Sequence, residues 1–413
     1  MARARSEAKK GQHGKAKRRR RAKVPENLVG ARYVRIIEEH LHALNSHPTH
    51  GNRELFLDQL VVAHLLAFFN PAISGLRSIE DVFEHPKNRK RYGTPRLPKS
   101  TVSDAQRVFD PELLLPLIDS LRERTAIQPH DPRLDKLTQK LLAVDGSFFA
   151  VAPRIAWALY NQSKVKKIRK GQIRLHVVFD VLQGVPESCT VTSGQVREDP
   201  VLQDQLEENC LYVLDRGFQS FDLLSAIIET HSDVVVRQRK SLVTETVSVR
   251  PLSDEDVRAG VISDHVVRVG AHPEQYRLPT MRVVEVEFVN RDGETKRMLL
   301  LTSLIDQPAW MIALIYLHRW QVELFFRWLK CSANFQHFFS EDESGMTLQV
   351  YVMMIALLLI AVETGARPSK YDYALLAGMC SGLMPVEGTL QIAARRRRER
   401  QRAAERQRQK KTG

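Results

Sequence analysis

Apolar and polar positions follow two different periods along this chain, and the period changes near residue 138. From Asn27 to about Arg124 the pattern is helical. In Leu55–Phe69 the apolar positions Leu57, Leu60, Val61, Leu65 and Phe68 recur close to the helical period, and Asn70-Pro71 ends the run. A basic, turn-rich stretch follows, with Lys87, Arg89, Lys90, Arg91 and Arg96. Ser100 then reads as an N-cap for a helix over Thr101–Val108, and Asp110-Pro111-Glu112 opens another. A short helix behind a basic loop has two readings: an ordinary packing helix, or part of a DNA-contacting helix-turn-helix.

From Thr138 the chain reads as strands. Lys140–Val144 is a short apolar run ending in Asp145-Gly146-Ser147. Ile173–Asp180 and Glu187–Thr192 flank a Gln183-Gly184 turn signal, which predicts an antiparallel meander. Cys210–Leu214 ends in Asp215-Arg216-Gly217, Phe221–Thr230 reads as a helix, and Asp233–Arg239 as a fifth strand. Strands interleaved with helices imply an α/β fold with a mixed sheet and helices on its faces. Residues 241–305 interrupt it with a β-rich insertion, in which Arg291-Asp292-Gly293-Glu294 turns back into Lys296–Ser303. Tyr316–Lys330 holds no Pro or Gly and predicts one helix. Met346–Thr364 predicts a buried helix, and its apolar core Val350–Val362 is too short to span a bilayer. The predicted organisation is a basic disordered tail (1–26), a helical domain (27–137), a sheet domain in two parts (138–240 and 306–394) around the insertion (241–305), and a second basic tail (395–413).

Charge changes this picture less than its total suggests. The chain has 413 residues, 43% hydrophobic and 27% charged, with a net charge of +14. That composition belongs to a globular protein of two or three domains. Residues 1–23 hold eleven Lys/Arg and one acid, and residues 395–411 hold ten Lys/Arg and two acids. The tails therefore carry more positive charge than the whole chain, and the body is mildly acidic. The tails suit any polyanion without sequence preference. The four cysteines are scattered with no C-x-x-C pair, which argues against zinc or a disulfide framework and fits a reducing cytoplasm. The charged first 23 residues are not a secretory signal.

Candidate chemistry lies in the acids. Asp145 and Asp215 each follow a short apolar strand, and ligands collect at the carboxyl ends of neighbouring strands. On a helix, Tyr316, Glu323 and Lys330 share a face because they are seven apart, with Arg319 beside them. A carboxylate between cations and a phenol suits a phosphate chain and a metal ion; a solvated face with an Arg319–Glu323 ion pair is the plainer alternative. Asp145, Asp215 and Glu323 together offer three hard oxygen ligands for Mg²⁺ or Mn²⁺. Asp180, Glu198 and Asp199 compete for that role. The basic run Lys164–Arg174, including Lys164, Lys167 and Arg174, leads into the strand that carries His176, and could flank the site or be a solvated loop.

These residues resemble the DDE transposases of bacterial insertion sequences, in the group named after insertion sequence four. That group has a Tyr, two residues, an Arg, three residues, a Glu, six residues and a Lys, matched here by Tyr316, Arg319, Glu323 and Lys330. Asp215-Arg216-Gly217-Phe218 is similar to its D-R-G-[YF] motif, Val144–Ser147 to its first-Asp motif, and Gly171–His176 to its G-x-x-K-x-H segment with Arg174 in the basic position. The resemblance covers about residues 138–365. It implies a ribonuclease-H-like fold, a metal-binding triad of Asp145, Asp215 and Glu323, and phosphoryl transfer: cleavage at element ends, then attack of the freed 3′-OH on target DNA. It further implies contacts of Tyr316, Arg319 and Lys330 with double-stranded DNA, a homodimer or larger assembly on the ends, and work at the nucleoid in the cytoplasm, away from any membrane. Two alternatives stay open, a catalytically silent DNA-binding descendant and a nuclease that only hydrolyses. The triad requires Glu323 within metal-bridging reach of Asp145 and Asp215.

Overall fold

A computed structural model describes residues 55–70, 72–128, 130–161, 169–270, 278–290, 292–332, 335 and 337–365, with residue 42 and scattered positions between 369 and 406. The first basic tail, Lys164 and Lys167 lie outside the described residues.

The centre is a ten-stranded mixed sheet. β1 (Lys140–Val151) pairs antiparallel with β3 (Arg169–Asp180), and β3 with β4 (Val185–Ser193), as the meander predicts. Gly184 makes the β3–β4 turn at φ 72°, a conformation that a Cβ would strain. The short β2 (Leu159–Asn161) pairs with β3 near its start, on the same side as β4 and opposite β1. On the opposite side, β1 runs parallel to β5 (Cys210–Leu214), and β5 parallel to β6 (Asp233–Arg237). Parallel neighbours need a crossover, and α7 (Phe221–Glu229) supplies the one between β5 and β6. The strands β7 (Thr244–Val249), β8 (Val261–Val269), β9 (Met281–Val289) and β10 (Thr295–Thr302) extend the same sheet as an antiparallel arm, in which β10 pairs with β6.

Both faces of the sheet are covered, which is why its central strands are almost uniformly apolar. α6 (Glu198–Gln203) and α7 cover one face through Leu202, Leu223, Leu224 and Ile227. α9 (Ala309–Leu317), α10 (Trp320–Ser332) and α11 (Glu343–Thr364) cover the other, together with N-terminal helices α1 (Leu57–Phe69), α2 (Leu76–Glu84), α3 (Pro86–Tyr92), α4 (Lys99–Val108) and α5 (Leu115–Arg122). α8 (Asp254–Arg258) belongs to the arm. α11 is apolar on all sides. By length and composition it could cross a membrane, unlike the shorter run read from the sequence, but 89% of that window is buried inside the protein. It packs on β4, α5 and α1 and is the core helix. Each fully buried Leu or Ile in it contributes roughly 1.5–3 kcal/mol.

Four expectations need correction, the first being that Lys87, Arg89, Lys90 and Arg91 lie on α3 and not in a turn-rich stretch. β1 does not end at Asp145 but runs on to Val151, because its antiparallel pairing with β3 continues past the point where the parallel pairing with β5 stops at Ala143. α4 starts at Lys99 with Pro98 before it, so Ser100 lies inside the helix and does not cap it. The stretch Tyr316–Lys330 is two helices. α9 ends at Leu317, and the backbone tightens to three-residue hydrogen bonds from His318 to Ile315, Arg319 to Tyr316, Gln321 to His318 and Val322 to Arg319. Gln321 Nε2 also meets His318 Nδ1 at 2.8 Å across this turn.

Candidate active site

The carboxyl end of β5 and the middle of β1 meet where their parallel pairing stops. Side chains alternate across a strand, so Asp145 shares a face of β1 with Ala143 and Phe149. Asp215 likewise follows Leu211 and Val213, and all four of these apolar residues face the core beneath α9–α11. Both acids therefore point toward the helix pair that carries Tyr316, Arg319, Glu323 and Lys330.

The four helix residues spread along this edge. The Tyr316 hydroxyl donates to Asp215 Oδ1 at 3.4 Å, and its ring lies 5.8 Å from the Arg319 guanidinium. Burial pushes the Tyr316 phenol up to about 12, so it stays neutral. Arg319 donates to Glu323 Oε1 in a short contact, and the charges of Glu323, Asp215 and Asp145 all act on its guanidinium. Two turns further along α10, Lys330 Nζ lies 4.9 Å from the centroid of the Phe149 ring. The break at His318–Arg319 thus changes the reason these residues line up. They follow a bent path over the ends of β5 and β1, not one helical face.

Asp145 is the most perturbed acid of the group. Its carboxyl is pushed up to about 6, first by burial and then by the charges of Glu198 and Glu323, against the Gly146 N–H and Arg319. The Gly146 N–H donates to Asp145 Oδ1 at 2.9 Å. One guanidinium amid three acids leaves negative charge uncompensated, which is the chemistry of a donor set for a hard cation. As the side chains stand, no group of three or more His, Cys, Asp or Glu among the described residues is arranged to hold a metal ion. The expected metal-bridging reach of Glu323 is therefore not met in this arrangement, and Arg319 holds its carboxylate instead. The donors fit a divalent ion in type and neighbourhood, provided that Glu323 exchanges Arg319 for the ion.

The other sequence candidates separate. Asp180 lies at the far end of β3, opposite Leu142, where it accepts from the Gln183 N–H at 2.7 Å and caps the turn. Asp199 is paired with Arg197 at 2.6 Å. Glu198 does reach the site, from the opposite face of the sheet, and its charge acts on Asp145 while that of Asp215 acts on it. Arg174 stacks 4.2 Å over Phe148, donates to the Val196 carbonyl at 3.3 Å and stands 3.6 Å from Glu198. His176 is buried across the pair from Gly146, 2.8 Å from Thr192 Oγ1. Burial, with Arg174 adding, lowers it to about 4, so it is neutral near pH 7.

Sequence reasoning missed Arg239. Its guanidinium donates to the carbonyls of Arg216 and Gly217, both at 2.7 Å, and its backbone N–H donates to Gln219 Oε1 at 2.6 Å. It clamps the turn that follows Asp215, and nothing in its local sequence signals this. A groove of about 1090 Å³ opens beside Tyr316 and Arg319, with Arg133, Lys136, Arg237 and Phe288 in its lining.

Comparison with known proteins places the site inside one family. The sequence profile described as "Transposase DDE domain" matches residues 136–359. The chain is 27% identical over 240 residues to a putative transposase, y4zB, of Sinorhizobium fredii, a match that covers 56% of this chain and 64% of that protein. It is 26% identical to the probable transposase for insertion sequence element IS5377 of Geobacillus stearothermophilus, over 65% of this chain and 68% of the relative. The putative transposase for insertion sequence element IS4SA of a Synechocystis species is 21% identical over 72% and 82%.

Proposed function

The chain belongs to the transposase DDE domain family, and from that premise we propose that it cleaves DNA strands at the ends of a mobile element and joins the freed 3′-OH to target DNA. The observation that carries this reading is the under-neutralised acidic edge formed by Asp145, Asp215 and Glu323, beside a tyrosine, an arginine and a lysine able to hold phosphates. The antiparallel β1–β3–β4 meander, followed by parallel β5 and β6, supports a ribonuclease-H-like core.

In this reading Asp145, Asp215 and Glu323, once Glu323 leaves Arg319, would hold two divalent ions, Mg²⁺ or Mn²⁺. Bound there, such ions would supply activation of the attacking oxygen and charge stabilisation of the leaving one. The protein supplies no covalent nucleophile: water attacks first, then the liberated 3′-OH. Arg319 trades Glu323 for a DNA phosphate, Tyr316 orients Asp215, and Lys330 grips the backbone further along. Arg174 flanks the other side, and His176 supports that strand as a neutral group. The basic tails add sequence-independent affinity for DNA.

Glu323→Gln tests the reading with a near-isosteric change. Strand cleavage should fall below detection while DNA binding and thermal stability persist; cleavage at the wild-type rate refutes it. Pre-cut ends mixed with target DNA separate the alternatives: joined product marks a transposase, hydrolysis alone a nuclease, and neither a silent DNA-binding descendant.

A further inference from the structure

Gly146 carries no side chain, and another residue occupies the space its Cβ would fill. A Cβ built there meets Glu198 Oε1 in a clash, with Arg174 Cδ at 3.2 Å. The equivalent atom on Gly217, in the turn after Asp215, lies 3.8 Å from Glu198 Oε2. One carboxylate therefore spans from the glycine after Asp145 to the glycine two beyond Asp215. It comes from α6, on the sheet face opposite α10. Arg174 approaches it at 3.6 Å but shares itself with the Phe148 ring and the Val196 carbonyl. The two glycines leave room for this reach, and the clash at Gly146 is with the far end of a flexible side chain, not with backbone.

We propose that Glu198 is a fourth carboxylate of the cation site, reaching through the gap over Gly146 to share a divalent ion with Asp145 and Asp215. This deepens the proposed function and rests on its metal site. Glu198 closes the side of the site that α10 leaves open. It also gives Arg174 a second task, as the countercharge that Glu198 releases when an ion binds.

The test is Mn²⁺ binding to the full chain, followed by isothermal titration and by the electron paramagnetic resonance signal of free Mn²⁺. Glu198→Gln should weaken Mn²⁺ about 10-fold, the low end for losing a group that supports a metal site. Gly146→Ala provides an independent arm, because its methyl group displaces the Glu198 carboxylate without touching an acid. It should weaken Mn²⁺ to a similar degree with the melting temperature close to wild type. Wild-type Mn²⁺ affinity in a folded Glu198→Gln protein overturns the proposal, and so does wild-type affinity in Gly146→Ala. Asp145→Asn distinguishes the two levels. If it weakens Mn²⁺ and Glu198→Gln does not, the fourth carboxylate alone is wrong. If the wild-type chain binds no Mn²⁺, or Asp145→Asn changes nothing, the underlying metal site fails as well.

Discussion

Two arginines in this protein each meet acids, Asp264 buried and Asp145, Asp215 and Glu323 half-buried, and they differ in how completely the charge closes. Arg282 on β9 is 1% exposed and grips Asp264 through both carboxylate oxygens, at 2.7 and 2.6 Å. Its remaining donors reach the carbonyls of Leu304, Ile305 and Gln307. Arg319 instead bonds one acid of the three whose charges act on it, and both it and Glu323 keep contact with solvent. The first pair is a finished knot. The second is an arginine with more acid than it can satisfy, at an edge open to water. Buried ion pairs are weak evidence for function on their own; the contrast marks the Arg319 cluster as the unbalanced one, which is what the proposed site requires.

The comparison can be broken most forcefully at the knot. Arg282→Met strands Asp264 without its main partner in a buried setting and should cost about 3–5 kcal/mol in urea unfolding. The double change Arg282→Met with Asp264→Leu should recover most of that loss. If the single change is silent, the knot is not a structural tie.

Asp145→Asn probes the open cluster with the opposite sign. The folded protein holds a proton on Asp145 up to about pH 6, whereas the unfolded chain releases it near 3.8. Stability therefore declines as pH rises through that window and stays lowered above it. In EDTA at pH 8, Asp145→Asn should stabilise by about 1–2 kcal/mol, and the gain should vanish below pH 3.8. A loss of stability at pH 8 would place Asp145 in the same class as Asp264.

The smallest effect lies at the rim of the knot. Arg250 stands 3.6 Å from Asp264, but its side chain is one-third exposed and Arg282 already satisfies the carboxylate. Arg250→Ala should cost about 0.5 kcal/mol or less. A cost comparable to that of Arg282→Met would mean the knot depends on both arginines.

Much of this is legible in the sequence itself. The Cys210–Leu214 strand and the turn at Asp215 are local signals, and the structure reproduces that strand residue for residue. The β3–β4 meander followed from apolar runs around Gly184 in the same way. The misreadings share one cause. Gly146-Ser147 looks like a turn to local reasoning, yet the glycine lies inside β1 and leaves room for Glu198, a contact across 52 residues that no local rule contains. The break at His318–Arg319 has no Pro or Gly to announce it, and is set by a tight backbone turn beside the acid cluster. Arg239 clamps carbonyls more than 20 residues away, so its role depends on how β6 comes to lie beside β5.

The knot has a mechanical consequence. Arg282 fastens the antiparallel arm to the carbonyls just before α9, and Asp256, also in the arm, accepts the N–H of Trp310 in its first turn at 2.7 Å. α9 is nine residues long, about 13 Å of stiff rod. Its far end carries Tyr316, whose hydroxyl touches Asp215. The arm thus holds the near end of a strut whose other end rests on an acid of the proposed site. A load on the arm, as from a duplex laid across it in the proposed reaction, would arrive at Asp215.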